Sequence, residues 1–95
     1  MPDIDVRIIP GGDGPLFRVK VKEGGGETAH EVAVAEDYYD DLTGRACTRE
    51  EFVKISFEFL LEREPKESIL REFDITVISR YFPEYEAEMR DRFHS

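Results

Sequence analysis

The chain is short of cysteine, histidine and cationic side chains, and it has no long apolar run. Each shortage removes a class of protein. Cys47 is the only cysteine, so no intrachain disulfide can form and a disulfide-stapled secreted fold is excluded. A reducing cytoplasm is the expected compartment. The two histidines, His30 and His94, lie far apart in sequence, and no short ligand spacing joins either to Cys47, so no metal or cofactor is expected. Lys and Arg number 13 against 22 Asp and Glu, a net charge of -9. The deficit runs along the whole chain, 10 acids to 5 bases over residues 1–47 and 12 to 8 over residues 48–95. With no basic half to meet a phosphate backbone, nucleic acid is not the favoured partner, and the acidity reads as surface solvation ahead of haloadaptation or mimicry of a nucleic acid's charge. No window approaches the roughly 18–20 apolar residues that span a bilayer. The first residues carry Asp3, Asp5 and Arg7 and no apolar core of a signal peptide, so no membrane association is expected.

What is present describes a fold. A chain of 95 residues, 40% hydrophobic, suits one domain over residues 1–95, too small for a second core. Ile4, Val6 and Ile8 alternate with Asp5 and Arg7, the period of a half-buried strand ended by Pro10. The segment Pro10-Gly-Gly-Asp-Gly-Pro15 reads as a turn. Phe17, Val19 and Val21 alternate with Arg18, Lys20 and Lys22 in a second strand, and His30, Val32 and Val34 mark a third after Gly24-Gly25-Gly26. Glycine turns this short favour antiparallel neighbours. The expected class is α+β: a three-stranded antiparallel meander over about residues 3–35, then a layer of three to four short helices over about 36–94.

The helical part has the stronger local signals. Glu36–Leu42 suits a helical turn with Tyr39 and Leu42 inward, broken by Gly44. Thr48-Arg-Glu-Glu51 is a capping box, the Thr48 hydroxyl accepting from the Glu51 amide while the Glu51 carboxylate accepts from the Thr48 amide. In the helix that follows, Phe52, Val53, Ile55, Ser56, Phe57, Phe59, Leu60 and Leu61 cover about two-thirds of the circumference. That arc needs cover from two directions, one the sheet and the other either the C-terminal helices or a second subunit. Phe59 is expected near its centre, facing Val19 and Val32. Pro65 opens a further helix with Ile69, Leu70 and Phe73 on its buried side. Asp74 caps a short one through Phe82. Pro83 precedes a last helix with Glu84, Glu86 and Glu88 early and Arg90 and Arg92 late, matching its dipole.

The run Ser56-Phe-Glu-Phe-Leu-Leu-Glu-Arg-Glu-Pro-Lys-Glu-Ser-Ile-Leu70, with Phe73-Asp-Ile75 and Tyr81-Phe-Pro-Glu-Tyr-Glu86, resembles a family of small bacterial proteins of about 90 residues without an assigned function. His30-Glu-Val-Ala-Val34, Tyr38-Tyr39 and Leu42-Thr43 resemble its N-terminal part. The resemblance spans about His30 to Met89 and implies no activity, cofactor or catalytic residue.

No side-chain set points to catalysis. Glu36, Asp37, Asp40 and Asp41 lack the spacing of a calcium loop and read as a solvated helix face. The glycine turns precede strands, so no helix N-terminus faces a phosphate there. Cys47, just before the Thr48 cap, reads as a packing residue. The surplus is aromatic: Tyr38, Tyr39, Tyr81, Phe82 and Tyr85 either complete the core with each hydroxyl reaching water at its edge or, with Met89 and Phe93 continuing a stripe from Tyr85, form a candidate protein interface. The expected function is therefore non-catalytic protein association, with itself as a homodimer or with a partner as an accessory subunit. The alternative is a small ligand-binding or enzymatic domain with a pocket at the sheet edge near Glu36–Cys47, using Asp37, Tyr38, Tyr39, His30 or Arg45. A third reading takes Ser68–Phe82 as a helix-turn-helix, its recognition helix offering only Thr76, Ser79 and Arg80.

Overall fold

The computed structural model of the chain describes residues 2–10 and 15–94; the centre of the turn expected at Pro10–Pro15, residues 11–14, lies outside them. Strands β1 (Asp3–Ile9), β2 (Leu16–Glu23) and β3 (Gly26–Ala33) pair antiparallel, Val6 opposite Val19 and Val19 opposite His30. Gly24 and Gly25 turn the β2–β3 hairpin at φ of 62° and 81°, a left-handed pair that suits a two-residue hairpin turn and that only glycine adopts cheaply.

A fourth strand corrects the expected meander. β4 (Glu72–Asp74) pairs parallel with β3, Val32 opposite Phe73, so the sheet is mixed, in the order β1-β2-β3-β4. The Glu31 amide donates to the Arg71 carbonyl at 2.6 Å and the Ile75 amide to the Ala33 carbonyl at 2.9 Å. Three residues are too few to display a period of two, and Ile69, Leu70 and Phe73 also satisfy a helical spacing. The open edge of β3 decides the matter, because its backbone groups need partners. The helix expected after Pro65 is accordingly reduced to one 3-10 turn at Lys66–Ser68, and Leu70, assigned to a buried side, is 48% exposed.

Between β3 and β4 the chain crosses over through α1 (Glu36–Thr43) and α2 (Arg49–Leu61), as parallel neighbours require. Gly44 ends α1 at φ 59°, and the capping box starts α2 with both of its reciprocal bonds at 3.1 Å. After β4, Asp74 accepts from the Thr76 amide at 3.0 Å and leads into α3 (Val77–Tyr81); α4 (Tyr85–His94) closes the chain.

The wide apolar arc of α2 is covered from two sides within one chain. Phe57 faces the sheet, its ring 5.3 Å from His30 on β3 and 6.0 Å from Phe73 on β4. Phe59, two residues and about 200° further round, turns away from Val19 and Val32. Its ring packs against Tyr85 at 5.2 Å and Phe82 at 5.9 Å, and the Arg63 guanidinium lies 3.6 Å over it. That stacking is a cation–π contact, and the same guanidinium reaches Glu84 and Glu88 on the far side of the seam.

Candidate functional site

The aromatic surplus divides into two groups. Around α1 and α4 it is consumed internally. Tyr85 is fully buried; its hydroxyl donates to Ser56 Oγ at 2.6 Å, and Ser56 donates in turn to the Phe52 carbonyl at 2.8 Å. Burial holds the Tyr85 phenol far above its ordinary range, which keeps it a neutral donor. Tyr39 is buried and donates to the Cys47 carbonyl. Tyr38, half-buried, donates to Glu86 at 2.8 Å, and both burial and that carboxylate push its pKa upward. Met89 is buried and Phe93 half-buried against the core. The stripe Tyr85, Met89 and Phe93, expected at an interface, instead packs inside its own chain, because α4 covers the half of α2 that the sheet leaves bare.

The second group stands open. The end of α2, the segment after the 3-10 turn, β4 and α3 surround a cleft of about 330 Å³ whose apolar lining includes Leu60, Ile69, Leu70, Phe73, Tyr81 and Phe82. Tyr81 is 67% exposed, and with Leu70 it forms an apolar rim. One carboxylate, Glu64, joins the lining. Partial burial raises its pKa above the usual range, and it takes no ion pair among the described residues. An apolar wall with one incompletely solvated carboxylate suits an apolar side chain that carries, or lies beside, a cationic group.

His30 does not line this cleft but holds the backbone of one of its lining residues, Leu70. A carbonyl only accepts, so Nδ1–H donates to the Leu70 carbonyl at 2.7 Å, across 40 residues, and the neutral ring then accepts the Thr28 hydroxyl at Nε2, 2.9 Å away. Burial lowers its pKa, opposed by the Leu70 bond and assisted by the Arg71 charge. Inward parity on β3 identifies His30 as a core or rim histidine; its tie to Leu70 depends on the crossover and has no local signal.

The other sequence candidates resolve as structure. Asp40 takes a fork from Arg45, Nε to Oδ1 at 2.7 Å, and this bond lowers its pKa. Asp41 binds Arg90 of α4 at 2.5 Å. Burial raises the Cys47 thiol, so the nearby helix start does not make it a thiolate. The expected pocket segment Glu36–Cys47 is largely helix α1, with Arg45 held by its carboxylates. The helix-turn-helix reading loses its first helix to the 3-10 turn and β4, and its second shortens to the five residues of α3. Among the described residues no group of three His, Cys, Asp or Glu is placed to hold a metal, and no helix is long and apolar enough to cross a membrane. Comparison of the chain with protein-family models, curated proteins and solved structures finds no match.

Proposed function

We propose that the chain is a non-catalytic protein-association module of the cytoplasm, and that the Leu70–Tyr81 cleft receives an amphipathic segment of a partner protein. The observation that carries this reading is the coincidence of the exposed Leu70 and Tyr81 on the rim of one apolar cleft. Aromatic rims around a recess are favoured at protein interfaces. Glu64 beside the recess, on a chain of net charge -9, selects a segment with Lys or Arg next to its apolar anchors. The single free Cys47 agrees with a reducing compartment.

Selection from a displayed peptide library, with the intact chain as bait and Tyr81→Asp as counter-bait, tests the proposal. The expected winners combine two apolar anchors with a basic residue. Their binding weakens at least tenfold on Tyr81→Asp and several-fold on Glu64→Gln, and backbone amide shifts on binding centre on residues 68–82. Peptides that bind both baits equally, or that shift residues elsewhere, overturn it.

A further inference from the structure

A different surface carries a second association. β1 is an edge strand with β2 on one side only. Among the described residues, none of its backbone groups bonds outside the β1–β2 ladder. Pro2 and Pro10 flank it, so the template available to another strand is the seven residues Asp3–Ile9. Ile8 is 53% exposed on this strand. We infer that β1 pairs antiparallel with β1 of a second copy of this chain, Val6 lying on the two-fold axis, to give one continuous eight-stranded sheet.

The residues of β1 select both the partner and the register. Antiparallel partners share a face, so any register that sets Asp5 or Arg7 opposite an apolar neighbour of the other parity mixes the two faces. Of the face-matched registers, centring on Asp5 opposes Asp5 to itself, centring on Arg7 opposes Arg7 to itself, and centring on Ile4 opposes Asp3 to Asp5. Directly opposed like charges are unfavourable. Centring on Ile8 leaves Asp5 outside the paired segment and both charges without a counterpart. Centring on Val6 sets Asp5 against Arg7 twice, Ile4 against Ile8 twice, and Val6 against Val6.

The row of side chains across the outer face supports the same register. Arg7 stands opposite Arg18 on β2, and Arg18 stands opposite Glu31 on β3, with a 3.5 Å contact to it. Arg18 thus has its acid on the inner side, whereas Arg7 has a like charge on its inner side and, among the described residues, pairs with Asp5 of its own strand alone, 3.2 Å away. A second copy's Asp5 on the free side of Arg7 completes the row, and Asp5 itself lies between its own Lys20 and the incoming Arg7. The apolar face gains too, since Ile8 is covered by the other copy's Ile4.

Charge exchange tests the register directly. Arg7→Asp and Asp5→Arg each oppose like charges across the axis, so each variant alone sediments as a monomer where the natural sequence sediments as a dimer. Mixed in equal amounts, the two variants restore every opposed pair, and the mixture regains the dimer. Circular dichroism on each variant verifies that it is folded. The proposal is overturned if the natural chain stays monomeric up to about 1 mM. It is equally overturned if the single variants dimerise like the natural chain, or if folded variants fail to dimerise when mixed. Tyr81→Asp leaves this equilibrium unchanged, so failure here and failure of the cleft proposal are separate results.

Discussion

On one flank of α2, Phe59 is enclosed by Tyr85, Phe82 and the guanidinium of Arg63. On the other, past Leu60, the chain has similar side chains to hand, yet Leu70 and Tyr81 stand open around a cleft. Composition does not distinguish the two flanks. Polar bonding does. At the closed flank the Tyr85 hydroxyl reaches Ser56 and, through it, a main-chain carbonyl, so the ring can be buried without an orphaned polar group. At the open flank the backbone of Leu70 is engaged by His30, which fixes the main chain and leaves the side chain outward. The aromatic surplus of this short sequence is two populations, separated by where hydroxyls and carbonyls find their partners.

The largest effects belong to the closed flank. Phe59→Ala and Tyr85→Ala should each cost about 3–5 kcal/mol, since both remove a large buried ring from a seam that cannot collapse without moving α4. That is a major part of the roughly 5–15 kcal/mol of a domain. Tyr85→Phe, which retains the ring and removes only its bond to Ser56, should cost about 1 kcal/mol. Urea denaturation of the three variants checks the series. A Tyr85→Ala protein as stable as the natural one would mean that this ring does not hold the seam between α2 and α4.

The features legible in advance are those determined within a few residues. The capping box needs only Thr48 and Glu51, and both of its bonds are present; the left-handed stop at Gly44 and the glycine hairpin are equally local. The width of the α2 arc correctly demanded cover from two directions. Which half meets the sheet was not legible, because Phe57 and Phe59 are equally apolar and differ only in rotation about the helix. β4 was hidden for a further reason. Glu72, Phe73 and Asp74 become a strand because β3 offers an unpaired edge after a long crossover, and no local pattern records that offer. The cleft inherits the same blindness, since its wall is the segment that β4 holds in place. Tyr81 and Phe82 stand out in the sequence as candidate interface residues, whereas the helical spacing of Leu70 with Ile69 and Phe73 points to the core, and the structure exposes it.

An intermediate effect comes from the histidine that holds the Leu70 backbone at the open flank. Burial lowers the pKa of His30 below its ordinary 6.5, so the unfolded chain binds its proton more readily than the folded one. The stability this neutral ring contributes is complete above about pH 6.5 and declines as pH falls toward its lowered folded value. Denaturation midpoints of the natural chain and His30→Gln, compared from pH 7.5 to 5, should therefore converge as the solution is acidified. The Leu70 amide region should exchange faster with solvent in the variant at every pH. A constant gap between the two proteins would mean that the ring is not buried as the neutral form.

The smallest effect on folding is expected at the open rim. Leu70→Ser retains the carbonyl that His30 binds and removes only an outward side chain, and Tyr81→Ser removes a ring that is mostly in water. Each should change stability by no more than about 0.5 kcal/mol, the usual range for exposed positions away from caps and buried networks. Because the rim supplies much of the apolar surface of the cleft, the same two substitutions should nevertheless weaken a selected cleft-binding peptide several-fold. Folding and docking are then separable at these positions, as they are not at Tyr85. If Leu70→Ser destabilised the chain by more than about 1.5 kcal/mol, a loss of the kind seen on truncating core side chains, Leu70 would belong to the packed interior and the two flanks of α2 would be finished alike.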